Sequence, residues 1–458
     1  MEKRQEESYK PKRSNLVQWI ATFTVFLLML QMGIGIGWAS PNNARLLSED
    51  SPIQATPSNV SWMTSLVSIG SAVGAVLTGV LIEYVGTRRT NIISLMMMGI
   101  SWTCLLLANS IMWIYVSRLI FGIAAVILFC CFSMYLGEVS DPRIRGTLIA
   151  FGAIGNPVGI VMGIVTETYL NMTVTSSIYL TLTIMNILLF FWLDDSPYYL
   201  VKKGYKEAAQ VSLAFYRGAS SEKELKEIMN FVENSEGFKD KLKKLKLSVV
   251  RKSIFVIMLV FALPQLGGYM NVMFYMEIIL KSAKFEALKP EECVIYANII
   301  TVIAAFSTFP LIDKLGRRFL LIISSVGTAI ALFALGLHFY LVTLGHDAKA
   351  LQWLPITSLV VYLIAYPIGY GSVPGVLLSE MFPENIKSIA VCAASLSASS
   401  SGFLVVKAYQ PIIDLAGEAY AFWIHSILSI VGVPCTLFLI METKGKSFRE
   451  IQDKLSTK

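Results

Sequence analysis

Two short stretches concentrate the charged chemistry of this chain of 458 residues. Residues 83–89 read EYVGTRR, with Glu83, Arg88 and Arg89; residues 313–318 read DKLGRR, with Asp313, Arg317 and Arg318. Each is followed by an acid and a base seven positions apart, Glu138 with Arg145 and Glu380 with Lys387. Carboxylates beside guanidinium or ammonium groups form charge-assisted pairs that can open and close. Exposed pairs are each worth about 0–1 kcal/mol, too little to hold a fold but enough to bias two conformations a few kcal/mol apart. The expected role is a conformational latch, with Glu138 and Glu380 as partners of the basic groups. His338, His346 and His425 form no cluster, and Cys104, Cys130, Cys131, Cys293, Cys392 and Cys435 show no metal spacing. Neither a metal, a nucleotide cofactor nor an enzyme is expected, and with all but Cys293 inside apolar runs a disulfide framework is not expected either.

The elements that hold these stretches are apolar. Hydrophobic residues make up 55% of the chain and charged residues only 15%, where a soluble domain carries about a quarter charged. Charge-free runs of roughly 20 residues recur, enough to cross a hydrocarbon core about 30 Å thick as helix. The alternating segments of a membrane barrel are absent. The expected fold is an all-α polytopic membrane protein of twelve spans in two related halves: a charged tail at 1–15, six spans in 16–193, a polar linker of short amphipathic helices at 194–250, six spans in 251–440, and a tail at 441–458. Within the first half, Gly70, Gly74 and Gly79 lie on nearly one helix face suited to close packing. Most of the 38 Lys and Arg residues fall on one side if both termini are cytoplasmic, which predicts a multi-pass protein of the cell membrane in that orientation. The sequons at Asn59 and Asn171 then face outside as glycosylation candidates. The lysines from 239 to 246 and the formal charge of +7 suit contact with the inner leaflet of the bilayer, not nucleic acid.

Residues in family order run from about 16 to 450: Gly79, Glu83, Gly86, Arg88 and Arg89; Arg118 and Gly122; Tyr135, Glu138, Arg145 and Gly146; Asp195-Ser196-Pro197; Gln265, Gly268 and Tyr275; Asp313, Gly316, Arg317 and Arg318; Glu380, Phe382 and Pro383; and Glu442-Thr443-Lys444-Gly445. On these the chain resembles the major facilitator superfamily, sugar porter branch, and within it insect facilitated trehalose and hexose transporters. The resemblance implies two six-helix bundles facing across a central cavity, a small solute such as a sugar moved by alternating access, and a functional monomer. It also implies that Arg118 braces the first bundle. Related proton-coupled porters carry an aspartate in the first span, and Leu16 to Pro41 contains no Asp or Glu. Facilitated uniport is therefore expected over proton symport.

The cavity departs from the family. Gln265 is kept, but Ala153, Met270, Thr301, Pro367, Gly375, Ala398 and Gly402 stand where the family holds sugar hydroxyls or stacks an aromatic ring, and Asn271 is displaced by one position, about 100 degrees around a helix. Replacement candidates for substrate binding are Tyr269, Asn271 and Tyr275, Thr301, and Tyr366 and Tyr370 from a tyrosine repeat that begins at Tyr362. The glycines and prolines around that repeat predict an irregular segment, either lining the pathway or packing aromatics against lipid and protein. A less polar solute, or a sensory role without transport, remains the alternative function. Glu167 and Glu277 near the outer ends are expected to reach water, and Lys407 to snorkel to the outer interface.

Overall fold

Inside a bilayer the backbone finds no water, so a spanning chain must satisfy its N–H and C=O groups within its own helices. The computed structural model describes residues 12–218, 222–233, 247–284, 288–382 and 384–444, and it is helical throughout. The tail before residue 12, the lysines from 239 to 246, Pro383, the tail from 445 and the Asp313 side chain lie outside the described set.

The first half comprises α1 (Lys12–Gly37) continued past Trp38 by α2 (Ala39–Leu46), then α3 (Pro57–Val85), α4 (Thr87–Leu106), α5 (Ile111–Val139), α6 (Arg145–Tyr169) and α7 (Met172–Trp192). Three short helices follow, α8 (Pro197–Lys202), α9 (Lys206–Arg217) and α10 (Glu222–Glu233). The second half comprises α11 (Ser248–Leu266) with α12 (Tyr269–Ser282), α13 (Pro290–Leu315), α14 (Arg317–Thr343), α15 (Trp353–Tyr366) joined through a π-helical turn (Pro367–Gly371) to α16 (Val373–Met381), α17 (Glu384–Ala416) and α18 (Glu418–Leu439). Taking the interrupted helices as single rods gives twelve, of which eleven are long and apolar enough to cross a membrane. The twelfth is α4, which opens on Arg88 and Arg89. The first rod runs on past Pro41 through α2, which is almost wholly buried.

Within the first half α1 packs on α6, α3 on α5, and α4 on α5 and α7; within the second, α14 packs on α15 and α18, and α11 on α17. The halves meet where α3 faces α17, α2 faces α12 and α6 faces α13. An even number of rods places both described ends on one face, here the terminal face, opposite a far face. The buried apolar core runs without a break from the first half into the far-face side of the second, through Phe274, Tyr275, Tyr409 and Phe422. The terminal-face side of the second half keeps a separate core around Leu320, Val373 and Met381.

Lipid tails are as apolar as leucine, so helices hold together in a membrane by close contact. Two pairs of rods in the first half, α1 with α6 and α3 with α5, use glycine for this. A methyl group at Gly33 of α1 would lie 2.0 Å from the Asn156 carbonyl oxygen of α6, and one at Gly159 of α6 would lie 2.0 Å from the Leu30 oxygen of α1. Gly70 and Gly74 meet the α5 backbone in the same manner, but at Gly79 a methyl would meet nothing within 4 Å, so the expected glycine face ends one turn early. Gly159→Val should therefore lower the melting temperature of the detergent-purified protein by several degrees, since overpacking costs about 1–3 kcal/mol. Gly79→Ala should melt like the parent. Equal melting of the two variants would remove close approach as the glue.

Candidate functional site

Three places bring polar side chains together. At the terminal face, the turn between α3 and α4 lies under the end of α7. Asp195 accepts from Arg88 at 3.2 Å and from Arg89 at 2.7 Å, and Arg88 also donates to the Phe190 and Phe191 carbonyls that end α7. Glu83 pairs with Lys202 of α8 at 2.5 Å. Glu138, expected as a partner of the turn's basic groups, accepts instead from the Thr87 hydroxyl at 2.7 Å, while Arg217 of α9 donates to the Ser140 carbonyl beside it. The turn's two arginines are already taken by Asp195, and Arg145 begins a new helix beyond the end of α5 at Val139.

The second half repeats the arrangement with different atoms. Arg317 donates to Glu380 at 2.8 Å, and the Thr443 hydroxyl donates to the other oxygen of that carboxylate at 2.6 Å. Glu442 caps the start of α14, accepting from the backbone N–H of Arg317 at 3.1 Å and of Arg318 at 3.0 Å. Partial burial acts to raise the Glu442 carboxyl, but these donors with those of Lys444 and Thr443 outweigh it and hold it below its ordinary range. Arg318 reaches the Leu437 carbonyl near the end of α18, as Arg88 reaches the end of α7. Lys387 forms no ion pair among the described residues; it sits on α17 while Glu380 faces α14. Every described ion pair of these clusters joins groups within one half. Asp195 and Glu442, quoted from the sequence only as markers, are the carboxylates that organise each cluster.

Near mid-membrane two rods of the second half break. Gly268 takes a φ of +77°, a left-handed conformation that glycine adopts without strain. The carbonyls freed there are satisfied by side chains: Tyr362 donates to the Gly267 oxygen at 3.1 Å, and His425 Nδ1 lies 3.0 Å from the Leu266 oxygen. The α15 rod relaxes into its π-helical turn at Pro367, which lacks an N–H, and this is the irregular segment expected there. Between the two breaks the rings of Tyr269 and Tyr366 stack at 4.1 Å and 7°. Gln265, one turn before Tyr269, has a buried Oε1 with no protein partner. It lies with Ser68 of α3 around Gly402 of α17, where a methyl would sit 3.6 Å from Gln265 Oε1 and 3.3 Å from Ser68 Oγ. Ser68 carries no sequence signal of its own, because α3 also holds serines at 58, 61, 65 and 71.

The remaining candidates are committed elsewhere. Asn271 donates to the Val405 carbonyl and lies 3.0 Å from His425 Nε2, facing the interior of its own half; the one-position displacement turns it there. The Tyr370 hydroxyl lies 2.8 Å from Ser325 Oγ within the second core. Thr301 donates to Ala297 of its own helix at 3.0 Å. Of the tyrosine repeat, Tyr362 and Tyr370 are buried in protein and Tyr366 is half-buried, so none forms a lipid-facing stripe.

The far face is a seal. Asn43 of α2 donates to the Phe274 carbonyl of α12 at 3.0 Å, the Glu277 N–H donates to Ser40 Oγ at 3.1 Å, and Tyr275 and Thr64 hydroxyls lie 3.1 Å apart, all between halves. Arg118 is 2% exposed; it donates to the Gly35 carbonyl and lies 3.9 Å from the centre of the Trp38 ring, where it holds the bend between α1 and α2. Glu167 does not reach water. It is 0% exposed, accepts from Asn42 at 2.9 Å and shares its burial with Arg118 because α2 folds over it. Glu277 is also buried, paired with Lys281 at 2.7 Å. Lys407 lies 3.8 Å from the Trp62 ring centre. The Asn59 amide nitrogen donates to Tyr115 at 2.8 Å and its oxygen belongs to the cap of α3, so this sequon nitrogen is already engaged; Asn171 is exposed at the start of α7.

A family model described as "Sugar (and other) transporter" matches residues 17–455. The facilitated trehalose transporter Tret1 of Drosophila mojavensis is 29% identical over 459 residues, covering 98% of this chain and 53% of that protein. The Bombyx mori protein of the same name is 29% identical over 460 residues, covering 98% of this chain and 89% of that one. The chain spans about half the length of the first curated relatives it matches. Among solved structures, the inward-open xylose transporter XylE from E. coli shares the fold with a TM-score of 0.76 at 19% identity, over 95% of this chain and 99% of that chain. XylE bound to 6-bromo-6-deoxy-D-glucose gives 0.72 over 98% and 100%. With its helices in the major facilitator arrangement and a family match over nearly its whole length, the chain belongs to the sugar (and other) transporter family, a family of membrane transporters and not of enzymes.

Proposed function

We propose that this chain carries a sugar of the trehalose or hexose kind across the cell membrane by alternating access, as a monomeric uniporter with both termini in the cytoplasm. The observation that carries the reading is the pair of unlike ends: a far face sealed between halves by Asn43, Ser40 and Thr64, and a terminal face whose described ion pairs all stay within one half. Between them Gln265 offers an unpartnered buried acceptor beside the stacked Tyr269 and Tyr366. A hydrogen-bond acceptor beside an aromatic face suits a hydroxylated ring. The names of the relatives point to trehalose. The absence of Asp and Glu from α1 and α2 favours uniport. The basic residues of the terminal face favour its cytoplasmic placement.

The clusters around Asp195 and Glu442 keep each terminal rim rigid in this conformation. When the rims meet in the opposite conformation, the same charged groups latch them, with Glu83, Arg88, Arg89, Glu138, Arg145, Asp313, Arg317, Arg318, Glu380 and Lys387 as the participating side chains. Exposed pairs of this strength shift the balance without fixing it.

Counterflow uptake of labelled trehalose and glucose should be saturable, and Gln265→Ala should reduce it about tenfold, the value of one buried hydrogen bond of about 1–1.5 kcal/mol. No uptake of either sugar at verified surface expression would favour the less polar solute or the sensory role. Glu380→Gln should change transport rate several-fold with near-normal surface expression; an unchanged transport cycle would remove the latch.

A further inference from the structure

Outside the seal, the far face holds a cavity of about 190 Å³ that both halves build. Leu47 and Val60 come from the first half, and Tyr275, Tyr409, Phe422 and Glu418 from the second. Its aromatic wall is continuous. Tyr275 and Tyr409 lie 5.0 Å apart, Tyr409 and Phe422 6.2 Å apart edge-to-face, and Phe422 stacks on Phe339 at 5.6 Å. Among the described residues the lining includes no Lys, Arg or His, and Glu418 is its one carboxylate. Gln410, also in the lining, donates its amide to Asp414 at 2.8 Å, which leaves its carbonyl oxygen as an acceptor. The polar end is thus rich in acceptors and negative charge, and the remainder is aromatic and aliphatic. Ring faces attract organic cations, and a carboxylate completes such a site. An apolar cavity of about 150 Å³ holds one benzene ring, so this one holds a ring with a short side chain.

We propose that this cavity binds a small arylalkylammonium cation, with its ring among Tyr275, Tyr409 and Phe422 and its ammonium toward Glu418. Because both halves form the walls and Tyr275 is itself hydrogen-bonded to Thr64 across the seal, the cavity exists in this shape only while the far face is closed. A ligand that binds one conformation better shifts the protein toward it. Such a cation stabilises the far-closed state and slows any cycle that requires the seal to open. The proposal needs only the fold and not the transport reading, and its test is a binding measurement.

The probe is phenethylamine, protonated at pH 7, titrated against the full-length protein in detergent or nanodiscs by calorimetry and thermal melting. Saturable binding with a rise in melting temperature is expected, weakened about tenfold or more by Glu418→Gln, in line with the loss of a charge-assisted hydrogen bond. Val60→Trp, which fills the cavity from the other half, should abolish it, and Gln265→Ala should leave it unchanged. No saturable binding, or equal affinity in the parent and Glu418→Gln, overturns the proposal. Loss of binding in Gln265→Ala with retention in Glu418→Gln overturns it too, since the cation would then occupy the central region. Glu418→Gln removes a charge without changing size, so the test holds even if Val60→Trp fails to fold.

Discussion

The rule that no backbone polar group goes unsatisfied in hydrocarbon governs this molecule more than any single contact. It makes the rods helical, and it also decides where they can break. The α11–α12 rod opens at Gly267 and Gly268 only because Tyr362 and His425 take up the freed carbonyls from neighbouring rods. The break in the α15–α16 rod begins at Pro367, where no N–H is lost. Both breaks lie beside the Tyr269–Tyr366 stack. The places where helix is interrupted are therefore the places where side chains can present donors, acceptors and ring faces at mid-membrane.

The two terminal-face clusters show one physical task met twice by different atoms. Each half must anchor an arginine-rich turn beneath the end of its last rod. In the first half the anchoring carboxylate, Asp195, takes two guanidinium groups; in the second, Glu442 takes two backbone N–H groups at the start of α14. In both an arginine also reaches the carbonyls at the end of that last rod, α7 or α18. A helix start attracts a carboxylate and a helix end attracts a guanidinium, so both halves exploit the same polarity of the rods.

That architecture was legible because its signals are long-range and additive. Twenty-residue apolar runs, their number and the repeated charged turns survive errors at any one position, and family order along the chain adds to them. Side-chain partners were less legible. Glu138 and Glu380 are both expected to meet the basic groups of the charged turns, and Glu380 does take Arg317, but tertiary closure brings the Thr87 hydroxyl, not an arginine, to Glu138. Helical periodicity likewise says which residues share a face, not which neighbour that face meets. Asn271 and Tyr370 face their own half, and Glu167, near an outer end, is covered by α2. Gln265 stands out in the sequence as the one family position kept, yet its partnerless oxygen becomes visible only once the surrounding rods are in place.

Strength is distributed unequally between and within the halves. Inside the first half α1 and α6 touch backbone to backbone through glycines on both sides, a contact that any side chain would force apart. Between halves, the described hydrogen bonds of the far face are three, one of them between two hydroxyls. A typical buried hydrogen bond contributes about 0.5–1.5 kcal/mol net, so the polar part of the seal is worth a few kcal/mol at most. Arg118 fits the same division: its guanidinium braces the α1–α2 bend through Gly35, Trp38 and Phe121, all in the first half. The bundle that must stay rigid is held by backbone-to-backbone packing and buried charge, and the interface that must part by the shared apolar core, a few neutral hydrogen bonds and the contact of Lys407 with the Trp62 ring.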